Sequence, residues 1–181
     1  MTIGNLDQLF RHELKEAYGA EGLMLDALSN AALASRAYKT VLDADTARSM
    51  NHIERIEQIF ALIDDAPDVA VRPSLADALA KIDTFAVTIE DPSVRDAAIR
   101  SVLYTGRHHL CAQYAMLAVW ARRLNLREPS AILGVILDEE KAALLPAASD
   151  NEPGSTPALP RSPTVGERLT AMFDRNRKGE R

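Results

Sequence analysis

The stretch "LDQLFRHELKEAYGAEGLML" (residues 6–25) decides the fold class, because its apolar residues recur at the three- and four-residue spacing of an α-helix. Asn5, with Gln8 three residues later, is typical of a helix start. The predicted helix covers residues 5–31, and one face of it consists of Leu6, Phe10, Ala17, Glu21, Leu25 and Leu28. Glu21 is therefore a charged residue on a face that is otherwise apolar.

Three more long helices follow from the same periodicity. One is predicted at about residues 35–64, and a second at about 92–124 with Asp91 as its cap and a proline at its first position. The third begins after the turn at residues 125–129 and is expected to end at Pro146, since proline interrupts helical hydrogen bonding.

A shorter helix over residues 74–89, with Ser74 as its cap, connects the first pair of long helices to the second. Long helices joined by short turns pack as antiparallel neighbours. The sequence therefore predicts an all-α protein, a ferritin-like antiparallel four-helix bundle in which two long helical hairpins are joined by a short crossover helix.

Composition narrows the class of protein. The 181 residues are 47% apolar and 26% charged, which suits a single globular core, and the net charge of −5 offers little to nucleic acid. We find no apolar run long enough for a signal peptide or a membrane span, and the single cysteine fits a reducing compartment. A cytoplasmic protein without a nucleic-acid or membrane partner is predicted.

The C-terminal part differs in composition from the rest. Residues 1–148 are assigned to the bundle, residues 149–163 to a proline-rich linker, and residues 164–181 to a short basic amphipathic helix or a disordered tail. From Arg161 onward there are six basic and three acidic residues, so this end carries +3. We expect that residues 164–181 could bind a protein partner as a helix in a groove.

Four phrases resemble the YciE/YciF-type ferritin-like family in order and spacing. They are residues 6–25, "HIERIEQIFALI" at 52–63, "EDPSVRDAAI" at 90–99 and "LDEEKAA" at 137–143. The resemblance covers about residues 5–148. It implies a ferritin-type four-helix bundle that is usually a homodimer, with a dinuclear metal site and an association with bacterial stress response.

A ferritin-type di-metal site needs carboxylates and histidines that face inward from all four long helices. The positions that the resemblance assigns to this site are occupied here by Glu21, Arg48, Asn51, His52, Arg107, Leu110, Glu140 and Leu144. Glu21 and Glu140 keep the carboxylate, with Glu139 as the alternative should the helical register differ by one. His52 is the remaining candidate ligand.

Arginines stand at two of the lost carboxylate positions. Two glutamates and two arginines sum to zero charge, so we expect Glu21 and Glu140 to form core ion pairs with Arg48 and Arg107. Whether Arg107 or Leu110 is level with Glu140 stays open. This reading predicts no catalytic residue and no cofactor, and a scaffold or partner-binding protein.

Two alternatives remain. Both arginines could turn to the bundle flank, where they would be solvated. Alternatively, Glu21, His52 and Glu140 could retain a reduced iron or manganese site with oxidase or storage activity. Cys111 and Tyr114 are predicted to be packing residues, the former as an inert thiol.

Overall fold

Six helices make up the part of the chain that this computed structural model describes, residues 3–35 and 39–149. They are α1 (Leu6–Ala34), α2 (Lys39–Leu62), α3 (Pro73–Leu79), α4 (Lys81–Thr88), α5 (Pro92–Arg123) and α6 (Arg127–Ser149). These described residues contain no β-strand, which confirms the all-α prediction. The predicted linker beyond Ser149 and the basic segment 164–181 lie outside the described residues.

The four long helices form two antiparallel hairpins. Helix α1 packs against α2 and α5, and α6 packs against α5 and α2, so that α1 and α6 lie diagonally opposite each other. The start of α1 meets the end of α2, where Arg11 Nη1 donates to the carbonyl oxygen of Ile63 at 3.0 Å. The predicted bundle of two hairpins is confirmed.

Apolar side chains from one face of each long helix fill the centre of the bundle. The largest fully buried ones include Phe10, Met24, Phe60, Leu110, Tyr114 and Leu133. Removing these faces from water is the main force that holds the helices together. The same inward face carries Glu21, which brings a charge to the middle of the core.

The helix caps follow the sequence closely. The Asn5 side chain accepts a hydrogen bond from the backbone N–H of Gln8, and Gln8 Oε1 accepts one from the N–H of Gly4. The Asp91 side chain accepts from the N–H groups of Ser93 and Val94 at the start of α5. These bonds satisfy donors that have no partner within the helix, and they confirm both predicted caps.

Two boundaries differ from the prediction. The crossover is two short helices that meet at Ala80, and α3 begins at Pro73 with Arg72 at the N-cap, so Ser74 is not the cap. Proline at the first helical position explains the earlier start, because its missing N–H is not needed there. Helix α6 continues through Pro146, which costs one backbone hydrogen bond near the helix end.

Residues 64–72, here called the strap, run from the end of α2 to α3 along the outside of α1. Arg72 forms ion pairs with Glu13, at 2.7 Å, and with Glu16. Gly19 permits a close approach, since a Cβ at that position would lie 2.2 Å from the carbonyl oxygen of Ala70. The strap is thus held against α1 by the ion pairs of Arg72 and by the close backbone contact that Gly19 permits.

Among the described residues, none of the helices combines the length and the apolar character needed to cross a membrane.

A buried ion cluster as the candidate functional site

All four long helices contribute charged side chains to one cluster at mid-height in the bundle. We call it the ion cluster; its members are Glu21 from α1, Asp45, Arg48, His52 and Arg55 from α2, Arg107 from α5, and Glu139 and Glu140 from α6. Glu21, His52 and Glu140 are fully buried, which is rare for charged groups without partners.

Arg107 lies at the centre of the cluster. Its Nη1 donates to Glu140 Oε1 at 2.9 Å, and its Nη2 lies 3.0 Å from Asp45 Oδ2. The side chain is 5% exposed, so this guanidinium is not solvated on the bundle flank. The Arg107 side chain therefore reaches Glu140, whereas Leu110 is a buried apolar residue.

Arg48 lies at the edge of the same cluster. Its guanidinium pairs with Asp45, and its Nε is 3.8 Å from Glu140 Oε1. The side chain is 21% exposed. Arg48 thus faces the cluster while keeping partial contact with solvent, and Glu140 receives positive charge from two helices.

Glu21 departs from the predicted quartet of ion pairs. Its Oε1 lies 3.0 Å from His52 Nδ1 and accepts a hydrogen bond from the Tyr114 hydroxyl at 2.6 Å. It is therefore paired with an imidazole and a phenol instead of an arginine. The physical reason is position along the helices: His52 lies about one turn after Arg48 on α2 and Tyr114 about two turns after Arg107 on α5, and these two side chains are the ones that contact Glu21.

His52 connects the buried centre to the surface. Its Nδ1 faces Glu21, and its Nε2 lies 2.9 Å from Glu139 Oε2, which also accepts a hydrogen bond from Arg55 Nη1 at 2.6 Å. Both ring nitrogens can donate at once when the ring carries two protons. Glu139, whose side chain is 37% exposed, brings the chain of contacts to solvent.

Burial raises the pKa of one carboxyl group of α6, and ion pairing lowers the pKa of its neighbour. Burial raises the pKa of Glu140, and the guanidinium of Arg107 opposes that shift. Hydrogen bonding to Arg55 lowers the pKa of Glu139. Burial, together with the neighbouring Glu21, raises the pKa of Tyr114 well above its usual value of 10, so the phenol stays protonated and donates to Glu21.

A family model for a domain of unknown function, DUF892, matches residues 5–145. The chain belongs to the DUF892 family. Protein YciF of Escherichia coli K12 is a curated relative, 26% identical over an alignment of 148 residues that covers 78% of this chain and 87% of YciF. The resemblance to the YciE/YciF-type family is thereby confirmed.

Two solved structures share the fold of this DUF892 chain. YcfI of Rhodopseudomonas palustris, a candidate structural protein, superposes with a TM-score of 0.77 and 28% identity, over 81% of this chain and 95% of its own. The E. coli stress protein YciF superposes with a TM-score of 0.74 and 25% identity, over 79% of this chain and 92% of its own.

Some of the residues at positions that the resemblance assigned to a metal site lie outside the ion cluster of this DUF892 bundle. Asn51 is exposed and faces away from the core, Leu144 is half-buried, and Leu110 is a fully buried apolar side chain. Cys111 is half-buried, and burial raises the pKa of its thiol, as suits an unreactive group. These four residues bring no charge to the cluster.

Three residues that make contacts in the ion cluster were not predicted to do so. Tyr114 was assigned to packing, although it lies seven residues after Arg107 and so on the same helix face. Arg55 stands three residues after His52, at the spacing that brings side chains together. Asp45 lies three residues before Arg48, on the same face of α2, but its pairing with Arg107 depends on helix order, which the spacing does not reveal.

The residues of this DUF892 chain fit two metal ions poorly. One ligand atom from each of Glu21, His52 and Glu140 lies within 4.8 Å of the others, and these are the residues that could hold an ion. However, Glu140 Oε1 already accepts a hydrogen bond from Arg107, whose charge opposes a cation at that oxygen. Three donors and a central guanidinium do not supply the ligands that a dinuclear centre requires.

Proposed function

We propose that this protein works without catalysis, as a structural or partner-binding helical bundle whose core charges are balanced by ion pairs and not by metal ions. The observation that carries the proposal is the position of Arg107. Its guanidinium is buried between α2 and α6 and is bound to both Glu140 and Asp45. A metal ion bridging these carboxylates would have to displace it.

The charge balance of the ion cluster supports the same proposal. Four carboxylates (Glu21, Asp45, Glu139 and Glu140) carry −4, and three guanidiniums (Arg48, Arg55 and Arg107) carry +3. The guanidiniums therefore offset all but one of the carboxylate charges without an added cation, which lowers the cost of burying them.

One of the two solved relatives supports a structural role. YcfI is described as a candidate structural protein and YciF as a stress protein. By extension, we assign this chain a structural role under stress in the bacterial cytoplasm. Induction of its transcript by a stress, and its presence in the soluble cytoplasmic fraction, are the expected observations.

Aerobic iron oxidation tests the functional part of the proposal. Ferrous iron is added to the purified full chain, and oxygen consumption is compared with a protein-free control and with the Glu21→Gln variant. We expect the wild type and Glu21→Gln to match the protein-free rate, because no oxidation site is formed. Catalysed oxidation in the wild type that is lost in Glu21→Gln would refute the proposal.

The second candidate is a metal-binding bundle with a single iron or manganese ion held by Glu21, His52 and Glu140. Two observations favour it: the three ligand atoms converge, and Oε2 of both glutamates is buried without a hydrogen-bond partner among the described residues. An oxygen-rich set of this kind suits iron or manganese, and the bound ion would supply redox chemistry. This candidate predicts that Glu21→Gln abolishes metal binding.

A protein partner of residues 164–181 is a further part of the proposal, motivated by the basic amphipathic pattern of that segment. Proteins that co-purify with the full chain and with a chain ending at residue 148 are compared by mass spectrometry. We expect at least one partner that is lost on deletion and retained when only the linker prolines are changed to serine. An identical set of partners would contradict this role.

A further inference from the structure

The turn between α5 and α6 carries positive charge on a bundle that is otherwise acidic. Residues 122–130 contain three arginines and one acidic residue, so their net charge is +2. The whole chain carries −5 and the part from Arg161 onward carries +3, which leaves −8 for residues 1–160 and −10 for those outside this turn. The three arginines of the turn are Arg122, Arg123 and Arg127.

These arginines have no partner that explains their position. All three are exposed, and within the described part of the chain none of their guanidiniums has a hydrogen bond or an ion pair. Arg122 and Arg123 lie in the last turn of α5, where the helix dipole favours a cation. Arg127 is the first residue of α6, where the dipole disfavours one. Its charge therefore opposes the stability of α6 unless an anion lies beside it.

Arg122 and Arg127 line the same cleft, which has a volume of about 330 Å³ and which we call the arginine cleft. Asn125, Leu126 and Ser130 complete its lining. Sites for small molecules in proteins have volumes of about 300 Å³ and above. The arginine cleft therefore combines two guanidiniums with an amide and a hydroxyl in a space large enough for a small ligand.

The backbone of the turn holds the two arginines in place before any ligand binds. The N–H of Leu126 donates to the carbonyl oxygen of Ala121 at 2.9 Å, and the N–H of Asn125 donates to that of Arg122 at 3.1 Å. These are the two hydrogen bonds of a Schellman motif, and Asn125 has the left-handed conformation that the motif requires, with a φ of 59°. A turn fixed in this way lowers the entropy cost of binding.

We propose that the arginine cleft binds a small phosphate-bearing anion through the guanidiniums of Arg122 and Arg127. Each guanidinium presents a planar fork of donors that matches two phosphate oxygens. A phosphate group carries about −2 above its second pKa of about 6, which offsets the charge of residues 122–130. A carboxylate carries only −1 and has two acceptor oxygens, so it satisfies fewer of these donors.

The arginine cleft is a different site from the ion cluster. Arg122 follows Arg107 by 15 residues, which corresponds to roughly 22 Å along α5 at about 1.5 Å per residue. The two sites share none of their described residues. Phosphate binding at the cleft is therefore independent of the structural role proposed above and of any metal at the ion cluster.

Isothermal titration calorimetry of the full chain at about pH 8 tests this proposal, with inorganic phosphate as the first probe. Sodium chloride is present throughout, because salt screens non-specific attraction. We expect one phosphate site per chain, and a dissociation constant at least about tenfold higher in Arg122→Gln and in Arg127→Gln, since each change removes a charged donor. Both positions are exposed and glutamine suits a helix, so the variants keep the fold, which circular dichroism verifies.

The matched control is Arg123→Gln, which removes the same charge from a residue that is not part of the cleft lining. Its dissociation constant should stay within about threefold of the wild-type value, because an exposed charge outside the site contributes little. Glycerol 3-phosphate is the second probe: tighter binding than that of inorganic phosphate assigns the cleft to a phosphate monoester, and weaker binding assigns it to the free ion. A wild type that binds neither probe, or an equal loss in Arg123→Gln, would overturn the proposal.

Discussion

Replacing Arg107 by methionine breaks the ion cluster at its centre. Methionine keeps an unbranched side chain but removes the guanidinium that lies 2.9 Å from Glu140 and 3.0 Å from Asp45. Glu140 is fully buried and then retains only the longer contacts with His52 at 3.6 Å and with Arg48 at 3.8 Å. Breaking a buried pair in this way lowers the free energy of unfolding by about 3–5 kcal/mol.

The size of this loss depends on pH. Arg107 lowers the pKa of Glu140 and burial raises it, so the variant holds a still higher pKa. Its folded state then binds a proton that an unfolded glutamate, with a pKa of about 4.3, does not bind. The variant therefore recovers stability relative to the wild type as pH falls through the raised pKa, by at most about 1.4 kcal/mol per pH unit.

Urea unfolding followed by far-ultraviolet circular dichroism measures both effects between about pH 8 and pH 5. The control is Arg123→Met, which removes an exposed arginine from the same helix and should cost less than about 1 kcal/mol. Combining Arg107→Met with Glu140→Gln should restore part of the lost free energy of unfolding, since the double variant has no unpaired carboxylate at position 140. A loss no larger than that of the control, or one that is independent of pH, would refute this reasoning.

Three further substitutions probe neighbouring contacts by the same unfolding measurement. Gly19→Ala should destabilise the protein by about 1–3 kcal/mol, because the new Cβ would meet the carbonyl oxygen of Ala70. The control is Gly22→Ala, which has open space around it and should stabilise the protein by up to about 1 kcal/mol. Equal effects of the two substitutions would contradict the close approach of the strap to α1. Tyr114→Phe removes the hydroxyl donor to Glu21 and should cost about 1.5–3 kcal/mol, and a neutral result would show that this hydrogen bond is absent.

Periodicity predicted the long helices well, because each has a continuous apolar face and the caps at Asn5 and Asp91 are explicit in the sequence. The division of the crossover into two helices was harder to predict. Its break at Ala80 has no proline or glycine to mark it, and it follows from packing against α1 and α5. The continuation of α6 through Pro146 likewise depends on local context and not on residue type.

The sequence predicted the part of the site that depends on which face of a helix each residue occupies. The spacing placed Glu21, His52 and Glu140 inward, the family resemblance added Arg107, and the structure buries all four. The sequence did not predict which side chains meet, because that depends on the order of the helices around the bundle and on how far along its helix each residue lies. Glu21 pairs with His52 and Tyr114, one and two turns beyond the two arginines, and Asp45 lies beside the guanidiniums.

The metal content of the purified protein tests most directly whether ion pairs have taken the place of metal ions. The full chain is produced in medium supplemented with iron and manganese, purified without chelators, and analysed by mass spectrometry of its elements, with Glu21→Gln prepared in parallel. We expect both proteins to hold far less than one ion per chain, because Arg107 neutralises Glu140 and Asp45. Near-stoichiometric iron or manganese in the wild type, lost in Glu21→Gln, would contradict the central claim.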